Sequence, residues 1–194
     1  FKDEKVKRSN QILHPAAGYI LPVMSDASVE MGTVMAYLIS YGWIDGEYVA
    51  EPQLVWRQTY VCRKDWRSMP EKEATFYFRA CESLLHILPA LEKAGITIPP
   101  EHIAVVTDSI TTLIHARSTV SHLFTNKLGF MTAKTQSILL NQGVSPMRGG
   151  YFFHQYLEPE RVKFPADLTS KVDVKMSAAG MTKLHRDIHD VDWM

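Results

Sequence analysis

The chain is short of cysteine, of net charge and of long apolar runs. Its two cysteines, Cys62 and Cys81, have no metal-ligand spacing and are too few for a disulfide framework, so both read as small core residues in a reducing compartment. The 21 basic residues are balanced by 21 acidic ones, so there is no whole-molecule pull toward nucleic acid or membrane. Any polyanion site must then be a local patch. No apolar stretch approaches the ~18–20 residues of a membrane span. No signal peptide is recognisable, and a start at Phe1 reads as a piece cut from a longer polypeptide. Internal repeats and low-complexity tracts are also missing. What is left, 46% hydrophobic and 22% charged, suits one globular domain with a sizeable core.

The stretch that organises the chain is His102–Ser118, HIAVVTDSITTLIHARS. Its apolar run Ile103–Val106 suits a strand buried on both faces, and Ile110, Leu113 and Ile114 recur at helical spacing after Thr107-Asp108-Ser109. Asp108 therefore stands at the carboxyl end of a buried strand, where α/β sheets bind ligands and metals. Upstream, Tyr19–Met24 reads as a first strand ending in Ser25-Asp26-Ala27-Ser28, Gly32–Ile39 as a second, and Gln53–Arg63 as a third. The turn between the second and third is expected over Gly42–Gly46. Connections this short require antiparallel pairing. Ser68-Met69-Pro70-Glu71 is a capping box that opens a helix running to Gly95, with a kink expected at Pro89. After the central strand and its helix, Val120–Asn141 reads as another helix, interrupted near Gly129, and Tyr151–Leu157 as a last strand. Pro165 can open one more short helix at Pro165–Leu168. Three antiparallel strands followed by right-handed crossovers give an α/β fold. Its mixed sheet of five strands has the order 3-2-1-4-5.

That order sets Asp26 and Asp108 side by side at neighbouring strand ends. Two further acids join them. Glu73 lies on the helix stripe carrying Phe76, Tyr77, Ala80, Leu84, Ile87 and Leu91, and Asp167 opens the last helix. Glu82 competes with Glu73, but nine residues turn it to the opposite side with Arg79 and His86. Taken singly, Asp26, Asp108 and Asp167 read as caps or turn residues and Glu73 as a solvated helix residue; only their joint placement argues otherwise. Four ionised carboxylates at one sheet end repel each other unless cations lie between them. Hard oxygen ligands suit Mg²⁺, and two such ions ~3.5–4 Å apart form the clamp for in-line phosphodiester cleavage.

This pattern resembles ribonuclease H, and in finer detail the ribonuclease H domain in the polyprotein of BEL/Pao-type LTR retrotransposons. The matching words are SDAS (Ser25–Ser28), VCRKDWRSMPEKEA (Val61–Ala74), IPPEHIAVVTDS (Ile98–Ser109), HARS (His115–Ser118) and FPADLTSK (Phe164–Lys171). The resemblance implies a ribonuclease H-like fold with helices on both faces of the sheet. It makes Asp26, Glu73, Asp108 and Asp167 the catalytic acids, holding two Mg²⁺ ions for which Mn²⁺ substitutes. The implied partners are an RNA–DNA hybrid and adjoining reverse transcriptase and integrase domains, with no membrane, in the cytoplasm within virus-like particles. The chain departs from the family at Phe164, where Asn is usual, and at Ala74, where Leu is usual. A longer connection after Glu73 keeps Glu82 open as the second acid. The loop Glu158–Phe164 has no His, so a mobile proton-transfer His is not expected.

Residues 1–18 read as a linker or arm, 19–174 as the ribonuclease H-like domain and 175–194 as an extension. Ser28, Ser109, Asn126, Lys127 and Arg148, with Lys134, are candidates to meet a nucleic-acid backbone, against the alternative of ordinary solvated groups. His86 and His115 read as structural, and His185 with His189 as a surface pair. The expected activity is metal-dependent hydrolysis of the RNA strand of a hybrid. Two alternatives stay open: an inactive connector or scaffold of the same fold, and a transposase or integrase core, which typically takes its third acid from a Glu on a late helix.

Overall fold

Asp45 and Gly46 shape the first half of the molecule. Both have positive φ, 53° and 80°, the signature of the two-residue turn whose twist matches that of the flanking strands. The computed structural model describes residues 17–62, 68–117, 127–146 and 149–151. In it, β1 (Gly18–Ala27), β2 (Met31–Ile44) and β3 (Glu47–Val61) form an antiparallel meander. The turn is tighter than the expected Gly42–Gly46. Because Asp45-Gly46 reverses the chain alone, β2 and β3 continue to the turn itself, pairing Ile44 with Glu47.

The buried strand β4 (Ile103–Thr107) lies parallel to β1, with Leu21 opposite Ile103 and Ser25 opposite Thr107. Four strands thus carry a mixed sheet in the order β3-β2-β1-β4. Outside β4, three residues, Gly149–Tyr151, run parallel to Val105–Thr107. The rest of the expected strand Tyr151–Leu157 lies outside the described residues.

The expected capped helix is α1 (Met69–Lys93). Ser68 Oγ accepts the Glu71 N–H at 3.4 Å, Pro70 sits in the first turn, and Gly95 takes the left-handed φ of +83° beyond the end. Its buried stripe, Phe76, Tyr77, Ala80, Leu84 and Ile87, has the anticipated phase. Tyr77, Ala80, Leu84 and Ile87 meet Leu21, Val23, Val34, Ala36, Leu38, Ile103 and Val105 in the main core. Ala116 of α2 (Ile110–Arg117) and Leu139 of α3 (Lys127–Asn141) close that core. Gln136 Nε2 donates to Ala116 O at 3.0 Å, which ties α3 to the end of α2.

Gly129 does not interrupt α3, contrary to expectation. A single glycine costs only ~1 kcal/mol against alanine, which tertiary contacts such as those of Leu139 outweigh. The other face of the sheet, with Ile20, Met24, Met35, Ile39, Ala104 and Val106, is also buried. The second helical layer expected there lies outside the described residues. Among the described residues, no helix is long and apolar enough to cross a membrane.

Candidate metal centre

The parallel register of β1 and β4 brings two aspartates together. The last paired residues are Ser25 and Thr107, and Asp26 and Asp108 follow them. Strand alternation assigns Leu21 and Val23, and Ile103 and Val105, to the α1 side. Asp26 and, by continuation, Asp108 therefore share the opposite face. Asp26 is only 5% exposed, and its Oδ1 accepts the Ala27 N–H at 2.8 Å.

The turn and cap roles that could account for these two aspartates are carried by neighbouring serines. The β1–β2 turn is closed by Ser28, whose Oγ accepts the Met31 N–H at 3.1 Å and whose N–H donates to Met31 O at 2.7 Å. Asp26 lies inside the ladder, opposite Thr33. The cap of α2 is Ser109, whose Oγ accepts the Thr112 N–H at 3.2 Å, so Asp108 is not the capping residue. Ser109's own N–H donates to Thr107 Oγ1 at 3.1 Å. The hydroxyls of Ser28 and Ser109, expected to meet nucleic acid, are both engaged in local backbone structure.

Glu73 reaches the same end of the sheet from α1. The first turns of that helix are pinned beside the β1–β2 turn: Lys72 Nζ donates to Val29 O, and the Phe76 ring lies against Gly32. Glu73 is half-buried. It stands on the α1 side, however, whereas Asp26 and Asp108 belong to the other face. Among the described residues, no three His, Cys, Asp or Glu side chains are grouped to hold a metal ion. The fourth expected acid, Asp167, lies outside the described residues, as do Asn126 and Arg148. Lys127 opens α3 and Lys134 is exposed farther along it.

Glu82 goes elsewhere. It pairs with Arg79 at 2.7 Å on the flank of α1 that faces β3, beside Trp56, Gln58 and Tyr60. Two features escaped the sequence reading: the Lys72 tether, and this second cluster over β3. A lysine three residues into a helix gives no hint of its carbonyl partner. The cluster could have been found by pairing the strand alternation Trp56-Gln58-Tyr60 with the helical spacing Arg79-Glu82-His86. Cys62 also closes on the turn, its Sγ donating to Ser28 O at 3.7 Å. Burial raises the Cys62 thiol pKa, and the Lys72 ammonium partly opposes that rise.

No family model matches the chain, and a search of the curated proteins finds no match.

Proposed function

We propose that this chain is a ribonuclease H-like, metal-dependent endonuclease that hydrolyses the RNA strand of RNA–DNA hybrids within a retroelement polyprotein. The observation that carries the proposal is the parallel pairing of β1 with β4, which sets Asp26 beside Asp108 at the carboxyl ends of central strands. In this reading the sheet is completed to the order 3-2-1-4-5 by the strand beginning at Gly149, and Asp167 supplies the fourth acid.

The donor set is all carboxylate oxygen, which fits Mg²⁺ or Mn²⁺ rather than a soft metal. Asp26 and Asp108 would hold the ions between them, and Glu73 would complete the ligand set from across the sheet end. Bound divalent ions supply an activated water and charge stabilisation for the leaving 3′ oxygen, which yields 5′-phosphate and 3′-hydroxyl ends. The chain's own contribution is positional. The paired strands fix the backbone of both aspartates, and the Ser109 cap fixes the direction in which the chain leaves Asp108. Selection of RNA would come from the 2′-hydroxyl and groove shape.

A second reading has one observation in its favour: the described acids do not close into a group of three. An inactive connector module of the same fold would need no such closure. One experiment separates the two readings. The chain is incubated with labelled RNA–DNA hybrid, duplex RNA and duplex DNA, in Mg²⁺ or EDTA, beside Asp108→Asn. Nuclease function requires Mg²⁺-dependent cutting of the hybrid alone and its loss in the variant. Metal should also raise the melting temperature of the wild type and not of the variant. Intact hybrid together with no metal-induced shift would establish the connector.

A further inference from the structure

On the far flank of α1 lies a groove that the proposed chemistry does not use. Its floor is β3, and its wall is α1. A register shift where Ala36 and Tyr37 meet Trp56 and Leu54 leaves Val55 as an extra residue. Such a bulge turns two successive residues to one side, so Val55 and Trp56 both pack toward the core on the helix side. From there the alternation continues Trp56, Gln58, Tyr60 on that same face. Arg79, Glu82, Ser83, Leu85 and His86 complete a cavity of about 550 Å³.

We propose that this groove binds the base of an unpaired nucleotide, in a single strand running out from the hybrid; this rests on the nucleic-acid reading above. The lining has the two kinds of group that hold a base. The first is aromatic surface: the Trp56 and His86 rings stack with centroids 5.9 Å apart and planes 4° apart, and the Tyr60 ring lies beside them on the strand. Base stacking on such rings is tolerant of sequence. The second is planar hydrogen-bonding edges: the exposed Gln58 amide, the Arg79 guanidinium and the Glu82 carboxylate. These are the groups that pair with base edges.

The charge of the groove decides which part of the nucleotide is held. Arg79 is matched by Glu82 at 2.7 Å and also lies over the Tyr60 ring at 5.8 Å. Among the described lining residues, no net cation is left for a phosphate. A cavity of about 550 Å³ is within the range of small-ligand sites and far short of a duplex. The ladder Ala27–Gly32–Tyr60 sets the near end of the groove level with Asp26 along the sheet, two strands away and on the opposite face, so a strand leaving the acids would reach it by passing around the end of the sheet. Two strand spacings are about 10 Å.

The test uses the full chain and a double variant, Gln58→Ala with His86→Ala. Both residues are exposed and outside the main core, and neither belongs to the proposed acid site. Binding is measured by anisotropy in EDTA, for a blunt RNA–DNA hybrid and for the same hybrid with a single-stranded tail of about six nucleotides, across a salt series. The wild type should prefer the tailed hybrid about tenfold, as loss of one stacked base implies. The double variant should lose that preference, with unchanged circular dichroism and an unchanged slope of log K against log salt. No tail preference in the wild type, or its retention in the variant, would overturn the proposal. A flatter salt slope in the variant would overturn it too, since it would mean phosphate contacts. Cleavage of the blunt hybrid in Mg²⁺ is scored separately. Its absence would sink the nuclease reading and leave the tail preference, and so the groove, standing.

Discussion

Gly32 lies directly against the Phe76 ring of α1, and replacing it with alanine should be among the costliest single-methyl changes in the protein. A Cβ at that position would come within 3.0 Å of three carbons of the Phe76 ring, a separation real Cβ atoms essentially never show. The ring has little room to yield. Phe76 is 1% exposed, and the Tyr60 ring packs against it at 5.7 Å, itself covered by the Arg79 guanidinium. Overpacking of this kind costs ~1–3 kcal/mol, and the upper end applies because both neighbours are held. The gain from replacing a strand glycine recovers only ~0.5–1 kcal/mol. A net destabilisation of about 2 kcal/mol follows for Gly32→Ala.

Phe76→Leu shortens the ring and opens the space, at a cost of its own of ~1–2 kcal/mol. In that background Gly32→Ala should be close to neutral, which gives a coupling of about 2 kcal/mol between the two sites. Urea denaturation measures the cycle from the midpoints at constant m. If the double variant is additive within ~0.5 kcal/mol, the close approach of Gly32 to Phe76 is not what α1 rests on.

Three other outcomes follow from the same geometry. Glu73→Gln should leave the fold intact and lower hybrid cleavage by orders of magnitude, whereas Glu82→Gln, which breaks only a partly exposed pair worth ~0–1 kcal/mol, should leave blunt-hybrid cleavage unchanged; reversed results would mean that Glu82 serves the site. The Tyr77 hydroxyl is buried with no hydrogen-bond partner among the described residues, so Tyr77→Phe should hold or raise the melting temperature, and a loss above ~1 kcal/mol would reveal a partner such as an ordered water. Burial pushes the Cys81 thiol far above its ordinary value of 9.0, so over that interval the unfolded chain binds fewer protons than the folded one. The contribution of Cys81 to stability should be flat up to about pH 8 and fall from about pH 9 upward. Cys81→Ala should make the fall shallower in urea midpoints taken at pH 7–11. Equal slopes would remove Cys81 as the cause.

Much of the fold was legible because local signals and connection rules agree. Ser68, Pro70 and Gly95 bracket α1 by chemistry that depends on neighbouring residues alone. Short links forced β1, β2 and β3 to be antiparallel, and the long crossover through α1 allowed β4 to be parallel to β1. What escaped depends on energies that local pattern does not carry. Gly129 has the look of a breaker, yet α3 runs through it because the penalty is small beside tertiary contacts. The turn was drawn over five residues although Asp45-Gly46 needs two, since Gly42 and Trp43 read as punctuation when they are strand.

At the candidate site, helical phase put Glu73 on the sheet side, and the first turns of α1 lie beside the β1–β2 turn. A helical wheel cannot say which face of the sheet the aspartates take. Strand alternation from Leu21 and Ile103 does say it, once the core cluster fixes which parity faces α1. The groove escaped for the opposite reason. Its rings and its charges come from two elements, and they meet only when the strand alternation Trp56-Gln58-Tyr60 is paired with the helical spacing Arg79-Glu82-His86.

The pairing of β1 with β4 also orders events in time. The β2–β3 hairpin closes over a two-residue turn, and such hairpins form in ~1–10 μs. β1 can join at once, since only a short turn separates it from β2. Leu21 meets Ile103 across the whole of the hairpin and α1, a long loop whose closure is entropically opposed and slow. Until then one side of β1 is an open edge lined by Ile20, Leu21, Val23 and Met24. On a ribosome the first three strands emerge well before β4, so the growing chain presents a sticky, half-built sheet. Asp26 and Asp108 first become neighbours at the step that covers that edge. A chain cut short before Ile103 should therefore aggregate and contain neither a finished sheet nor a paired site.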